Sequence, residues 1–208
     1  MSTKHCQRLA GWLAPLLLSV LLLAGCVPRT DPVSYYQLSA LEAERSGTAT
    51  ADSDKLVIGI GPVGLPEYLD RPQIVTRLTP NRLHLAHNHR WAEPLGQNIA
   101  RVLGENLSPL LGTDRILLPP WPSSRTTDYQ LLVEVIHFEN DGDGAARLVA
   151  LWSVKDREGG MALPERRSSH RVAATSQDQE GLVVALNEAL GSFSREIAKE
   201  LTPLLARR

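Results

Sequence analysis

Beyond residue 26 this chain has no cysteine. Its 208 residues hold two, Cys6 and Cys26, both at the amino-terminal end, so the body can form no disulfide, no cysteine nucleophile and no Cys-based metal site. A strong charge of either sign is missing too. With 22 Lys and Arg against 23 Asp and Glu, the chain carries no basic footprint for nucleic acid. No apolar run after residue 25 is long enough to cross a bilayer. There is no GxSxG elbow, no HExxH helix and no serine in a recognisable His and Asp context. These absences argue against an enzyme, although a triad built from distant residues is recognised only by its geometry.

What the chain does have is a distinctive start. Lys4 and Arg8 precede an apolar run from Trp12 to Leu23, and Leu23-Ala24-Gly25-Cys26 closes it. The run falls short of the roughly 20 residues of a membrane span and carries Pro15, so it reads as a secretory signal with a lipoprotein box. Residues 1–25 are expected to be removed, leaving Cys26 as the acceptor of a diacylglyceryl group and the new amino terminus. Each buried CH2 of an acyl chain contributes about 0.8 kcal/mol, so two or more chains anchor a protein without spanning the bilayer. Loss of Lys4 and Arg8 turns the charge balance into 20 against 23. Residues 26–34, polar with two prolines, read as an extended tether that reaches up to roughly 30 Å. Residues 35–208 are left as one folded domain.

Within that domain the periodicities are clear. Apolar residues Leu95, Ile99, Val102, Leu103, Leu107, Leu110 and Leu111 predict an amphipathic helix from Pro94 to Leu111 stopped by Gly112, and Leu182, Leu186, Leu190, Phe193, Ile197, Leu201 and Leu204 predict a second from Asp178 to Leu205. Strands are expected at Tyr35–Leu38, Lys55–Val63, Gln73–Leu78, Arg82–Ala86, Arg115–Leu118, Tyr129–Phe138, Ala146–Lys155 and Ser169–Ala174. Pro80-Asn81 and the Asp/Gly-rich stretch Asn140–Gly144 read as hairpin turns. Ser46–Asp54, small and polar, reads as a flexible surface loop. The class expected is α+β, a mainly antiparallel sheet with the two amphipathic helices packed on one face.

Three motifs invite a chemical reading. Gly59-Ile60-Gly61-Pro62-Val63-Gly64 matches GxGxxG, but Pro62 removes an amide a dinucleotide loop would use and Leu65-Pro66 stands where its helix would begin. The glycines are expected to end a strand instead. His84, His87 and His89 lie within six residues and could offer imidazoles to a metal; an exposed hairpin tip with a turn at Ala86–His89 is the favoured reading. The run Glu139–Gly144 looks like a calcium loop, yet the twelfth position from Asp141 is Trp152, not glutamate. It is expected to be a hairpin turn. No cofactor and no metal is called for.

Two further stretches are more specific. Gly64-Leu65-Pro66-Glu67-Tyr68-Leu69-Asp70-Arg71-Pro72-Gln73-Ile74-Val75 and, later, Arg90-Trp91-Ala92-Glu93-Pro94-Leu95 closely resemble the ABC-type transport auxiliary lipoproteins, the PqiC-type family. Tyr35-Tyr36-Gln37-Leu38 resembles the family's opening strand and Asp128-Tyr129 the start of its long hairpin, so the resemblance covers nearly the whole mature chain. It implies a periplasmic domain held at the outer membrane by its lipid anchor, an accessory to an ABC transporter complex whose MCE-domain tunnel protein carries lipid between membranes. Val27 stands where an Asp would act as an inner-membrane retention signal, which favours outer-membrane sorting. The role implied is docking, in a homo-oligomer if a tubular partner is met symmetrically. Core packing accounts for Tyr68 and Trp91, with Trp91 and Leu95 stapling the helix start. Arg71, Arg77 and Trp121 are the candidate partner contacts: two guanidinium groups at or near a bend and one aromatic on a stiff proline-rich loop. A periplasmic lipid carrier and a hydrolase built on the three histidines are the rival readings.

Overall fold

The computed structural model describes residues 32–42, 56–122 and 126–206. The signal peptide, Cys26 and the polar loop Ser46–Asp54 lie outside them. Eight strands are described: β1 (Ser34–Tyr36), β2 (Ile58–Gly64), β3 (Gln73–Thr79), β4 (Arg82–Trp91), β5 (Ile116–Leu117), β6 (Tyr129–Asn140), β7 (Ala145–Asp156) and β8 (Met161–Ala173). Two helices join them, α1 (Leu95–Leu111) and α2 (Gln179–Leu205).

The fold is α+β, but the sheet is mixed, which corrects the mainly antiparallel arrangement read from the sequence. Four strand pairings are parallel (β1 with β4, β2 with β5, β2 with β6, β3 with β6) and three antiparallel (β3 with β4, β6 with β7, β7 with β8). The reason is the chain path. Between β2 and its neighbour β6 the chain passes through α1, and such a crossover returns the strand in the same direction, whereas tight turns at Pro80-Asn81 and Asn140–Gly144 reverse it. Alternation along a strand tells which face is buried and says nothing of a neighbour's direction.

β6 is the hub. On one side it pairs with β7 along its length; on the other it meets β2 up to Glu134 and then β3 at Asn140. β2 runs through all three glycines of the GxGxxG match, with a register shift between Ile60 and Val63. Pro62 sits in that shift and is exposed, a position where a missing N–H costs the ladder nothing. β4 also departs from expectation, because it continues through His87 and His89 to Trp91 by a register shift instead of turning. β8 runs 13 residues, far beyond the short strand expected.

Both helices pack on one face of the sheet, α1 against β2 and α2 against β7 and β8, and against each other. The predicted apolar stripes are the buried ones: Leu95, Ile99, Leu103 and Leu107 of α1, and Leu182, Leu186, Leu190, Phe193, Ile197 and Leu201 of α2. Trp152 of β7 meets Phe193 edge-on at 6.3 Å. Gly112 ends α1 in the left-handed conformation, φ 64°, its N–H donating to the Ser108 carbonyl, a role that suits a residue without Cβ. The Asp178 side chain caps α2 by accepting from the Gly181 N–H at 2.8 Å. The helices are also pinned by polar groups: Asn106 Nδ2 donates to Ser194 Oγ at 3.0 Å and Asn106 Oδ1 accepts from the Leu41 N–H at 2.8 Å. These bonds satisfy side chains that would otherwise be buried at a cost.

Leu107 is wholly buried between the layers, so Leu107→Ala is expected to lower unfolding free energy by about 2–5 kcal/mol. Exposed Glu188→Ala should stay within about 0.5 kcal/mol of the parent. Urea unfolding followed by circular dichroism checks both.

Candidate functional site

The bend Leu65–Pro72, which carries the longer of the two motifs, fills the gap on β6 between the end of β2 and the start of β3. There the Tyr68 hydroxyl lies 3.0 Å from the Ile136 carbonyl oxygen and 3.2 and 3.3 Å from the two carboxylate oxygens of Glu139. Glu139 was read as part of a turn; it stands in β6 and its side chain is wholly buried. Its Oε1 accepts from Arg77 Nε at 3.1 Å and Arg77 Nη2 at 3.0 Å, and lies 2.9 Å from His137 Nδ1. Its Oε2 accepts from the Phe138 N–H at 2.7 Å. The guanidinium of Arg77 also stacks over the Tyr68 ring, 5.7 Å from its centroid, as a cation does on an aromatic face.

A buried carboxylate is costly unless it is paired and hydrogen-bonded, and Glu139 is both. Its presence also acts on Tyr68. Burial, and after it the Glu139 charge and hydrogen bond, push the phenol up to about 12.

Each candidate contact has a definite place. Arg71 is half-buried at the end of the bend, where its Nη2 donates to the Glu67 carbonyl at 3.2 Å. Its Nε is buried without a partner. Arg77 is engaged within the chain: Glu139 takes Nε and Nη2, and the Pro80 carbonyl accepts from Nη1 at 3.0 Å. Trp121 is half-buried, its ring lying where a Cβ on Gly59 would come within 3.3 Å, so the glycine in β2 makes room for the indole.

Between these elements lies an open cavity of about 360 Å³, walled by Leu65 and Asp70 of the bend, Pro94 and Gly96 at the start of α1, and Pro119 and Pro120 of the proline-rich loop. Both motifs therefore reach one groove, and Arg71 and Trp121 are each one residue along the chain from a residue that lines it. The shorter motif is fixed from behind. Trp91 N–H donates to the Pro72 carbonyl at 2.7 Å and Ala92 N–H to the Tyr36 carbonyl at 2.8 Å. The Trp91 ring packs near Phe138, 6.5 Å between centroids. Arg101 gathers Glu93, Glu105, Asn98 and the Leu38 carbonyl around the first turns of α1.

The other chemical readings find different places. His84 and His87 are exposed on β4, and His89 Nδ1 lies 2.8 Å from the Tyr36 hydroxyl. Among the described residues no three His, Cys, Asp or Glu side chains converge on a point. The Asp/Gly turn is closed from within, Asp141 Oδ1 accepting from the Asp143 and Ala145 N–H groups at 2.9 and 3.2 Å. Burial raises the Asp141 pKa, but the Asp143 amide and the Arg171 guanidinium outweigh it and hold the carboxyl below its ordinary range. Ser168, Glu196 and His170 meet on β8 and α2, but Glu196 lies between the other two: Ser168 Oγ donates to its Oε1 at 2.7 Å and His170 Nε2 is 2.9 Å from its Oε2. Trp152 Nε1 donates to the same serine at 2.8 Å. With the imidazole on the far side of the carboxylate, this order is not that of a triad, in which histidine stands between.

Comparison with known proteins bears on all of this. Residues 36–198 match the family model of the ABC-type transport auxiliary lipoprotein component. The chain is 28% identical over 188 residues to the intermembrane transport lipoprotein PqiC of Escherichia coli (strain K12), covering 90% of this chain and 93% of that one, and equally to PqiC of Shigella flexneri. Two crystal structures share the fold at a TM-score of 0.68. One is an uncharacterised protein, 23% identical, covering 82% of this chain and 99% of its own; the other is from Xanthomonas campestris, 16% identical, covering 84% and 97%.

The Tyr68 phenol is held neutral by the fold. A free tyrosine ionises near 10, so the stability this contributes is whole below that pH and is lost as pH rises towards about 12. Of the four tyrosines, absorbance titration of the folded protein should show one ionising last, and Glu139→Gln should bring it down; a single common transition would contradict this. Glu139→Ala strands the Arg77 guanidinium and is expected to cost about 3–5 kcal/mol in urea unfolding.

Proposed function

The chain belongs to the ABC-type transport auxiliary lipoprotein family, and from that premise we propose that it is a docking component of an intermembrane lipid-transport system. It is held at the periplasmic face of the outer membrane through acylated Cys26 and positions the end of an MCE-domain tunnel protein against the bilayer. The observation that carries this reading is the groove itself. The two stretches that resemble the family, separated by the β3–β4 hairpin, form adjoining walls of one open surface. The bend that forms one wall is locked to β6 through Tyr68 and Glu139. A surface built that way is preorganised, and a partner that meets it loses little entropy in ordering it.

Arg71, Arg77 and Trp121 are the proposed contacts. Trp121 offers a half-exposed ring on a loop stiffened by prolines. Arg71 offers a half-buried guanidinium at the end of the bend, its Nη2 braced by the Glu67 carbonyl. Arg77 offers least, since its nitrogens serve Glu139 and Pro80 and its side chain is 17% exposed; its part is to hold the bend. In this reading the protein works by binding, without a catalytic step, and several copies surround the tunnel's end. The carrier reading has less support, because the space between helices and sheet is filled by Leu103, Leu107, Leu186, Leu190 and Phe193, all buried. No described helix is long and apolar enough to cross a membrane.

A photo-crosslinking amino acid placed at Arg71 or Trp121 in cells should capture an MCE-domain protein, and the same group at Met161, on the far β7–β8 turn, should not. Capture of unrelated envelope proteins alone from all three positions would contradict the assignment.

A further inference from the structure

Negative charge is absent from one edge of the sheet. From Gln73 to Ala92, through β3, the turn and β4, there is no Asp or Glu in 20 residues, and β1, paired along the outer side of β4, has none either. With 23 acids in 208 residues, such a stretch would hold about two on average. The cations there are Arg77, Arg82 and Arg90, with exposed His84 and His87 beside them. Arg77 is spent on Glu139. Arg82 has no side-chain partner among the described residues, and the one bond of the Arg90 side chain is from Nε to the His87 carbonyl at 3.4 Å. Of the large hydrophobic residues that are exposed, Val33 (39%) and Tyr35 (65%) lie on this same edge, and Leu78 (46%) lies one strand in, at the end of β3, where its backbone adjoins Gly142 of the turn that carries Asp141 and Asp143. Guarding an edge strand against pairing needs charge of either sign. It does not explain why only cations are present or why apolar side chains stand open among them.

The path of the chain says what such an edge would face. β1 runs parallel to β4 with Ser34 opposite His89, so β1 is entered at its end nearer the level of Arg82. Seven residues of strand separate those levels, at most about 23 Å. Cys26 is eight residues before Ser34, a reach of about 26–29 Å at full extension. A tether of that length keeps the β1–β4 edge within its own span of any bilayer that holds Cys26.

We propose that the β1–β4 edge rests on an anionic phospholipid surface, with Arg82 and Arg90 on headgroup phosphates and Tyr35, Val33 and Leu78 at the depth of the headgroup–acyl boundary. This rests on the reading that Cys26 is acylated. The chemistry fits both sides, since arginine near a bilayer is drawn to acidic lipid and tyrosine favours the interface. The edge thus sets the orientation of the domain on the membrane, a task the lipid anchor alone does not perform.

The absence of other thiols once Cys26 is acylated makes the test direct. An environment-sensitive fluorophore on Leu78→Cys, in the acylated protein reconstituted into phosphatidylethanolamine–phosphatidylglycerol vesicles, should shift to the blue and be quenched by a lipid-borne quencher several-fold more than the same group on Met161→Cys. Arg82→Glu with Arg90→Glu should remove the difference. Equal quenching at both sites, or no effect of the charge reversal, would overturn the proposal. Mass measurement of the same sample reports the acyl group, so failure of the anchor reading is seen separately. In that event the mature chain, residues 26–208 with Cys26→Ser, still decides: it should sediment with the phosphatidylglycerol vesicles and not with phosphatidylcholine ones. Sedimentation with neither, or with both alike, would overturn the proposal. Retention of the tunnel-protein crosslink in the charge-reversed variant would leave the docking reading untouched.

Discussion

One buried carboxylate holds the bend in place. Glu139 lies on the outward phase of β6, where solvent would ordinarily reach it, yet it is wholly buried because Tyr68 and Arg77 close over it. Left alone there, a polar group without hydrogen bonds would be costly to bury. Paired with a guanidinium, a backbone amide and an imidazole, it becomes a fixed point instead. The stretch between β2 and β3 is tied to β6 at that point, across a gap in the sheet that no strand fills. Hydrophobic burial gives the domain its stability; this polar cluster gives the bend its position.

The mixed sheet follows from the same hub. β6 accepts β2 and β3 in succession on one side, and the chain between those two strands must rise out of the sheet and return. That excursion is the motif-bearing bend. Both walls of the groove are therefore products of topology: the bend exists because β2 and β3 share one neighbour, and the helix start lies beside it because β4 hands the chain to α1 at Trp91. Trp91 is stapled there by the Pro72 carbonyl and by Phe138, so bend and helix start hold a constant spacing.

The helices were legible in the sequence almost to the residue, because a burial stripe at 3.6-residue spacing with Gly112 at one end and Asp178 at another admits few alternatives. The long hairpin was legible for a similar reason, its turn being marked by Asn140–Gly144. Strand direction was not, since nothing in the alternation of Ile58 or Ile60 names a neighbour. His87 and His89 looked like turn residues because the polar run His87-Asn88-His89-Arg90 breaks the alternation; in the fold a register shift absorbs the extra residues and the strand goes on to Trp91. The bend was visible as a motif, but the reason for its tyrosine was not. Glu139 is 71 residues from Tyr68, and two residues on, at Asp141, the chain does leave the strand for a turn. Strict alternation would put Glu139 in phase with buried Val133 and Val135; the register shift between Val135 and His137, which turns it outward, has no mark in the sequence. Arg77, on the neighbouring strand β3 and 62 residues away in the chain, gave no sign of being its partner.

If this surface is a docking face, its backbone should become quieter when the tunnel's end is present, and the rest of the domain should not. The most direct measurement is hydrogen–deuterium exchange of the acylated protein in nanodiscs, alone and with a purified MCE-domain tunnel protein. Slower exchange in residues 65–72 and 118–122, with β8 unchanged, is the predicted result. Protection confined to β8, or no change at the bend at saturating partner, would contradict it.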